Sequence, residues 1–371
     1  MKFSISQSLK DIPATDWNVL VHDNNPFVQH DFLYALETGN CLQPYGWQPR
    51  YLLIHNDEDQ LIGAAPAYIK TNSYGEFVFD WAWADAYQRA QIEYYPKLVI
   101  AAPFSPCTGP RLLTQNQNEE TAQALIALAL ELAKQEKLSS IHWLFNQDWD
   151  FAQQQKHDLI KRFDYQFHWH NQNYTDFDDF LSRLSMKKRK NIKRERKKVV
   201  EAGIKIACLN GEDLDEQQWS ELYNFYTITF MKKSGHATLS LDFFKAIKHK
   251  LLAIFAYDNG RIVAGAICIK GDNALYGRHW GCYENYDSLH FETCYYTGIE
   301  YCIKHNINLF EPGAQGEHKI SRGFLPVKTV SSHWLDERGF NQAIKDHVQR
   351  ESQAMQEYGE ELMAASPYKK I

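Results

Sequence analysis

One polar loop holds most of the side chains in this sequence that could do chemistry. It reads Glu311-Pro-Gly-Ala-Gln-Gly-Glu-His-Lys-Ile-Ser-Arg-Gly323 and combines carboxylates, a histidine, cations and three glycines. It follows directly on an apolar strand candidate, Ile307–Phe310. Surface loops of this composition carry function more often than scaffold elements do. The sequence therefore predicts a site in this loop.

Three residues of the loop are candidates for acid–base chemistry. Glu311 ends the apolar strand, where partial burial makes a carboxylate a stronger base. The alternative for Glu311 is a capping role or an ion pair with Arg322, either of which would be purely structural. His318 is the histidine better placed to transfer a proton near neutral pH, and Glu317 precedes it. We therefore predict Glu311, His318 and Glu317 as catalytic candidates.

The binding candidates are cations, amides and aromatic side chains near the same loop. Lys319 and Arg322 can both reach a phosphate or a carboxylate, although salt bridges in a hydrated loop are the alternative. On the preceding strand candidate, alternation places His279 on the opposite face from its two neighbours. The predicted substrate- or donor-binding residues are Arg278, His279, Trp280, Glu292, Gln315, Lys319 and Arg322.

The elements that must position these residues belong to a soluble, mixed α/β protein. The chain has 371 residues with 44% hydrophobic and 23% charged content, which is typical of globular proteins and suggests two domains. No signal peptide and no apolar run of spanning length are apparent. Seven cysteines without a CxxC pair predict neither a disulfide framework nor a zinc site. We expect a reducing, cytoplasmic setting and no metal.

Two hairpin candidates suggest an internal duplication. Tyr51–Lys70 and Leu251–Lys270 match without gaps at an offset of 200, with six of twenty positions identical. An aromatic strand candidate follows each hairpin, Phe77–Trp83 and Ala274–Trp280, and then a helix and a short apolar strand. Such self-similarity fixes an architecture, so two copies of one unit are predicted.

A strongly basic segment leads into the second copy. A long helix is predicted over residues 176–203, and its portion Lys187–Lys198 holds nine cations in twelve residues. These cations could follow a phosphate backbone and bind tRNA or an anionic surface, including lipid headgroups. A solvated helix face is the alternative, since no aromatic side chains for base stacking are interleaved.

The order of hairpin, strand, helix and strand resembles the GNAT acyltransferase core. Two tandem copies with a basic leading helix resemble the Fem-type transferases. The chain is most similar to the FemAB-like predicted N-acyltransferases, over nearly its whole length. The motifs that carry this resemblance are NPFVQHDFLYALE (25–37), GWQPRYLL (46–53), FSPCTGPRLL (104–113), MKKRKNIKRERKKV (186–199), LHFETCYYTGIEYCI (289–303) and FEPGAQGEHKISRGFLP (310–326).

The resemblance implies a fold and an activity. It implies an α/β (α+β) protein of two tandem GNAT-like domains, 1–175 and 176–371, each a mixed central sheet flanked by helices. It implies an N-acyltransferase that moves an acyl or aminoacyl group to a small-molecule or lipid-linked amine, such as a cell-wall precursor. The donor would be acyl-CoA or aminoacyl-tRNA. One departure concerns the donor: the segment 283–290 lacks the glycine-rich turn that cradles the pyrophosphate of acetyl-CoA in many GNAT enzymes.

Two other classes of function stay open at this point. A non-catalytic protein could keep the duplicated fold and use the basic helix to hold RNA or an anionic surface. A cysteine hydrolase could use Cys107 in FSPCTGPRLL, although the sequence fixes no histidine partner nearby.

Overall fold

The fold is described from a computed structural model that covers residues 1–232, 235–314, 316–336 and 341–369. The chain divides into two compact units, Met1–Asp164 with Lys328–Glu357, and Tyr165–Val327 with Tyr358–Ile371. These bounds differ from the predicted division into 1–175 and 176–371, because a C-terminal segment belongs to the N-terminal unit. The C-terminal segment joins the N-terminal unit because its strand pairs with a strand far away in the sequence, and local sequence patterns do not reveal such pairing.

The first unit is built on two sheets with strand orders β1-β3-β4-β7 and β2-β5-β6-β8-β15. The last of these strands comes from the C-terminal segment and pairs antiparallel with β8. The strands are β1 (Lys2–Ser6), β2 (Trp47–Pro49), β3 (Tyr51–His55), β4 (Leu61–Ala65), β5 (Ala67–Lys70), β6 (Lys97–Ile100), β7 (Leu113–Thr114), β8 (Ser140–Asn146) and β15 (Leu325–Leu335), whose residues from 328 onward lie in this unit.

Helices cover these sheets because their apolar side chains recur at helical spacing. In the Ala/Leu-rich helix 119–135 the buried side chains include Leu125, Ile126 and Ala129, which pack in one core cluster with strand residues. Its N-cap residue Asn118 accepts a hydrogen bond from the amide of Thr121. The helices are α1 (Ala14–Asn18), α2 (His30–Thr38), α3 (Trp81–Arg89), α4 (Glu119–Gln135), α5 (Asp148–Gln154) and α12 (Asn341–Ala364), which begins in this unit.

The second unit has one mixed sheet with the order β10-β11-β12-β13-β14-β9. Its neighbouring strands are antiparallel except for β13 and β14, which are parallel. The strands are β9 (Ile160–His170, in this unit from 165), β10 (Lys205–Asn210), β11 (Leu251–Asp258), β12 (Arg261–Lys270), β13 (Ala274–Cys282) and β14 (Leu309–Glu311); the helices are α6 (Phe177–Arg183), α7 (Met186–Glu201), α8 (Glu216–Lys232), α9 (Leu241–Ala246), α10 (Leu289–Phe291) and α11 (Thr297–Lys304), with a π-helical turn (Glu292–Tyr296) between the last two.

The predicted hairpins are present in both units, β3–β4 and β11–β12. Each unit also contains a parallel strand pair joined by a helix: β6 and β8 through α4, and β13 and β14 through the helical segment 289–304. The mixed sheets and flanking helices confirm the predicted fold class. FSPCTGPRLL follows β6, the first strand of its parallel pair, whereas the polar loop follows β14, the second strand of its pair. The two segments therefore do not occupy equivalent positions in the two units.

Two predicted elements are wrong. Phe77–Trp83 is not a strand, because Glu76 and Asp80 turn inward to the buried amino group of Lys97 and a helix begins at Trp81. The predicted helix 176–203 is two helices, α6 and α7, interrupted at Leu184. That residue forms a β-bridge with Tyr368 near the C-terminus, and this pairing draws the backbone out of helical geometry.

Candidate active site

The polar loop begins where the parallel pair of strands ends. Pairing between β13 and β14 runs from Ala274 with Leu309 to Tyr276 with Glu311 and stops there. Gly277 then lies so close to Pro312 that a Cβ would be 3.3 Å from its Cα. In open sheets, ligands bind beyond the carboxyl ends of parallel strands. Glu311 is therefore at the position in this unit where a ligand site is expected.

Three ionisable side chains are buried around this point. Glu311 is 5% exposed, His168 4% and Lys319 2%. The distance from His168 Nε2 to Glu311 Oε2 is 4.0 Å, and Lys319 Nζ donates a hydrogen bond of 2.6 Å to the carbonyl of Gly313. The loop thus folds back on the strand end with its lysine inside.

Burial sets the charge state of two members of this group. Burial, together with the positive charges of His170 and Lys319, lowers the pKa of His168 to about 3, so its imidazole is neutral near pH 7. Burial also lowers the pKa of Lys319 to about 8. Because the imidazole of His168 is neutral, it does not hold the carboxylate of Glu311 in an ion pair. Because the amine of Lys319 titrates near neutral pH, it can donate a proton.

The outer part of the loop is organised around His318 and Arg322. The ring Nε2 of His318 lies 2.9 Å from the hydroxyl of Tyr295. Burial and the charges of Arg322 and Lys319 lower the pKa of His318. The Arg322 guanidinium stacks on the Phe291 ring at 3.4 Å from the ring centre. This contact fixes the position of the guanidinium.

Helix α7 fixes this outer part through its acidic and basic side chains. Glu195 accepts a hydrogen bond of 2.9 Å from Arg322 and another from the hydroxyl of Tyr296. Arg196 binds Glu292 at 2.9 Å and Glu300 at 2.8 Å. The basic helix is therefore partly a structural clamp, and the ion pair of Arg322 is with Glu195 rather than with Glu311.

Glu292 also borders an open groove in the same unit. The groove has a volume of about 750 Å³ and lies between α7, β10 and α11. Arg196, Glu292, Glu300 and Lys304 line it together with apolar side chains such as Ile206. Burial raises the pKa of Glu292, although the guanidinium of Arg196 opposes this shift.

The remaining predicted residues lie in three different surroundings. The His279 ring packs 4.5 Å from the Tyr226 ring on the α8 side of β13, and burial holds its pKa well below the usual value. The Trp280 ring is 5.5 Å from His290, on the side that faces α10. Arg278 is half-buried, and exposed Glu317 accepts a hydrogen bond of 2.7 Å from Tyr358. Gln315 lies outside the described residues.

The structure thus brings some candidates together and separates others. Glu311 lies 4.0 Å from His168, whose pKa is lowered by burial and also by the charge of Lys319. His318 and Arg322 flank Lys319 in the same helical turn of the loop. His279 belongs to an aromatic cluster on the other face of the sheet, as the alternation of strand residues predicts. Glu292 lies in the clamp with α7.

His168 is the residue that sequence reasoning missed. The segment Phe167–Tyr174 alternates aromatic and polar residues, and this indicates a half-exposed strand with His168 and His170 on one face. That pattern is a usable signal for the strand. It does not reveal that the strand pairs with β14, through His170 with Leu309 and Trp169 with Phe310.

The segment between β13 and α10 is acidic and has no glycine. Asp287 is ion-paired with Lys198 at 2.6 Å, and the neighbouring Glu284 is exposed. Ser288 adopts a left-handed conformation with φ of 68°. The segment therefore lacks the glycine-rich turn whose backbone amides could hold a pyrophosphate.

The cations in the first half of α7 differ from Arg196 and Lys198 in the second half, which form ion pairs. Within the described residues, no ion pair involves Lys187, Lys188, Arg189 or Lys190. These side chains are exposed or half-buried. They form a local positive surface that complements an anionic polymer or headgroup.

Cys107 is not placed for nucleophilic attack. Its side chain is 2% exposed, and its carbonyl accepts a hydrogen bond of 2.8 Å from buried Arg111. A reactive cysteine needs access to substrate and a stabilised thiolate. FSPCTGPRLL is therefore a packed loop of the first unit. In the described ranges no helix combines the length and hydrophobicity needed to cross a bilayer.

Comparisons with known proteins agree with this architecture. A model of the FemAB-like family, described as peptidoglycan biosynthesis/recognition, matches residues 8–370. The crystal structure of FemX superposes with a TM-score of 0.57 at 10% identity, over 93% of this chain and 100% of that chain. No curated protein sequence matches the chain.

Two further solved structures share the fold. The C-terminal domain of a putative lysylphosphatidylglycerol synthetase from Agrobacterium fabrum gives a TM-score of 0.54 at 7% identity, covering 92% of this chain and 95% of that one. L-PGS from Bacillus licheniformis gives 0.51 at 11% identity, covering 88% and 97%. At such identities the likeness concerns the fold.

Proposed function

Because this chain belongs to the FemAB-like family, we propose that it transfers an aminoacyl or acyl group from an activated donor to an amine. The family description supports an acceptor from peptidoglycan biosynthesis, either a small precursor or its lipid-linked form. The observation that carries the proposal is the buried carboxylate of Glu311 at the end of the parallel strands, beside neutral His168, on which the charge of buried Lys319 also acts.

Glu311 acts in this proposal as the general base. The acceptor enters as an ammonium and must lose a proton before its nitrogen can attack the carbonyl carbon of the donor ester. Glu311 takes that proton, because His168 is neutral and does not neutralise the carboxylate. As the C–N bond forms, the carbonyl oxygen becomes an oxyanion and the nitrogen becomes cationic. The C–O bond to the donor then breaks as Lys319 protonates the departing oxygen, and the nitrogen gives its second proton back to Lys319.

Lys319 supplies the positive charge that this reaction needs. Its ammonium stabilises the oxyanion in a site from which water is largely excluded. With a pKa of about 8 it can also give a proton to the departing oxygen. His318, held by Tyr295, is the alternative base on the outer side of the loop, with Glu317 next to it.

The other predicted residues take binding roles at the margin of the site. Arg322 is buried, stacks on Phe291 and is ion-paired with Glu195, so in this proposal it positions the loop that carries His318 and Lys319. Trp280 and Arg278 lie on the strand that leads to the site, and Gln315 is assigned to orienting the substrate. His279 and Glu292 act on substrate only indirectly, through β13 and through the clamp with α7.

We favour aminoacyl-tRNA over acyl-CoA as donor. The segment between β13 and α10 has no glycine-rich turn to hold a CoA pyrophosphate, and the exposed carboxylate of Glu284 there disfavours one. The cations of Lys187–Lys190, which form no ion pair within the described residues, offer contacts to an RNA backbone in the same unit. Acyl-CoA remains the second donor to be tested.

A transfer assay tests the proposal. We would incubate the protein with tRNA charged with radiolabelled amino acids, or with acyl-CoA thioesters, and with a lysine-containing cell-wall peptide precursor. Glu311→Gln is expected to lower kcat by roughly 10²–10⁴. Lys319→Met is expected to lower it by roughly 10²–10³. Glu212→Gln, which changes an exposed carboxylate of the same unit, is the matched control and should leave kcat unchanged.

Full activity in both variants would remove the assigned roles. A folded protein is verified for each variant by its urea-unfolding midpoint, because burial makes both positions sensitive. Transfer from acyl-CoA but not from aminoacyl-tRNA would overturn the donor assignment and keep the reaction.

A non-catalytic RNA-binding protein is the second candidate function. The observation that favours it is the row of cations in the first half of α7, which carries no ion pairs within the described residues. This reading predicts RNA binding that weakens steeply with salt. Salt-sensitive binding without transfer from either donor would support it against the proposed enzyme.

A further inference from the structure

A loop of the first unit turns its acids inward and its aromatic rings outward. Between residues 71 and 81 the sequence is TNSYGEFVFDW. Glu76 is 3% exposed and Asp80 1%. Four aromatic side chains in the same stretch are among the most exposed large hydrophobic residues of the described chain: Tyr74 at 67%, Phe77 at 40%, Phe79 at 51% and Trp81 at 45%.

A single buried lysine holds this arrangement. Lys97 Nζ donates to Ser73 and to Glu76, each at 2.8 Å, and forms an ion pair with Asp80. Asp80 also accepts a hydrogen bond of 2.6 Å from Tyr94. Three residues of the loop are thus fastened to one cation on β6, and breaking a buried pair of this kind is costly.

The backbone is also strained so that the rings face outward. Phe77 has a φ of 60°, a left-handed conformation that is unfavourable for a bulky side chain. Such strain persists only where the surroundings enforce it. Here the buried neighbour Glu76 enforces it through Lys97, and Tyr74 packs edge-on against Trp81 at 5.5 Å. The exposed rings therefore form a preorganised surface.

The chemistry of the surface identifies what it meets. Apart from tyrosine, the two acids are the only ionisable residues between 71 and 81, and both are buried against Lys97 instead of facing the solvent. A sugar site would need several polar side chains directed outward beside the rings. Ser73, Glu76 and Asp80 all point to Lys97. Asn72 accepts a hydrogen bond from Lys70 and donates one to the carbonyl of Tyr45, which leaves Thr71 as the exposed polar side chain of this stretch. An uncharged group of Trp, Tyr and Phe is the composition that settles at the headgroup level of a bilayer.

We propose that Tyr74, Phe77, Phe79 and Trp81 form a docking surface through which the first unit binds the interface of a lipid bilayer. The rings enter the headgroup region while the loop backbone stays fixed by Lys97. The surface binds by burying apolar area and needs no anionic lipid, unlike the cations of α7. It lies in the first unit, so it is distinct from the candidate active site.

Vesicle sedimentation tests the proposal with the full-length protein. The parent protein is expected to bind vesicles of zwitterionic phosphatidylcholine and to remain bound in about 0.5 M salt, which screens charges but not apolar contacts. The double variant Phe79→Ser, Trp81→Ser should lower the partition coefficient roughly tenfold or more. The matched control is Phe3→Ser, Val19→Ser, which removes two hydrophobic side chains exposed to 54% and 61% elsewhere in the same unit and should bind like the parent.

Three outcomes would overturn the proposal. The first is no binding of the parent protein to zwitterionic vesicles. The second is binding only to vesicles that contain phosphatidylglycerol, abolished by salt and unchanged in the double variant, which would assign it to the basic helix. The third is concentration-dependent self-association of the parent that the double variant abolishes, which would assign the patch to a second copy of this chain. None of these measurements involves transfer, so their failure leaves the proposed function intact.

Discussion

The charge of His168 follows from its burial rather than from its partner. A histidine 4.0 Å from a carboxylate would usually gain a proton, yet burial and two nearby positive charges hold its pKa at about 3. The carboxylate of Glu311 therefore faces a neutral ring and keeps its capacity to accept a proton from substrate. This is the physical reason for assigning the base to Glu311 and a positioning role to His168.

The depressed pKa of His168 also makes the free energy of unfolding depend on pH. In the unfolded chain a histidine has a pKa of about 6.5, so below this pH the unfolded state binds a proton that the folded state does not. The depressed pKa thus contributes stability above about pH 6.5 that is lost as the pH falls toward 3. We expect His168→Gln to reduce the slope of unfolding free energy against pH by up to about 1.4 kcal/mol per pH unit between pH 4 and 6.

Urea unfolding of parent and variant at pH 4, 5 and 6 measures this slope. Other buried groups, including His142, His333 and Glu76, contribute equally to both curves and cancel in the difference. Equal slopes for the two proteins would mean that His168 takes up its proton in the folded state, contrary to the prediction.

At the scale of elements, close contact between α8 and β13 positions the strand that carries Arg278 and Trp280. A Cβ built on Gly281 would lie 2.0 Å from the backbone oxygen of Phe225. A backbone atom cannot turn away as a flexible side chain can, so Gly281→Ala must push the helix off the sheet. We expect a loss of about 1–3 kcal/mol in unfolding free energy, measured by urea titration.

Gly235→Ala is the matched control for this prediction. Its Cβ would come no closer than 3.5 Å to its neighbour, the side chain of Phe230, and its backbone is not left-handed. A change there is expected to be neutral or to stabilise by roughly 0.4–1 kcal/mol. Equal effects of the two substitutions would show that α8 does not rest on Gly281.

Elements with a strong local pattern were predictable from the sequence, and the others were not. The helix 119–135 and the helix Asn341–Ala364 follow from periodicity alone, and the repeated hairpins follow from identical residues at a fixed spacing. Phe77–Trp83 has the composition of a strand, but ion pairs with a distant lysine override that preference. Leu184 interrupts the basic helix for a similar reason, because the C-terminal tail pairs with it.

For the whole molecule, the limit of sequence reasoning is contact between distant segments. Composition identified the loop 311–323, and the position of Glu311 after an apolar strand indicated its burial. His168 is more than a hundred residues away and reaches Glu311 only because β9 pairs with β14. The place of β15 in the first unit is hidden from the sequence for the same reason, since β15 pairs with β8, which is far away along the chain.

This long-range pairing predicts that the fragment 1–175 does not fold by itself and that the fragment 176–371 is inactive. The first lacks Leu335, Ile344 and Val348, which are buried in one core cluster with Trp83. Losing three buried aliphatic side chains removes about 5–9 kcal/mol, comparable with the whole stability of a domain. The second lacks His168, and we expect it to show no transfer activity. The first should show no cooperative urea transition alone and should regain one when the two are co-expressed; a sigmoidal transition of 1–175 by itself would contradict the prediction.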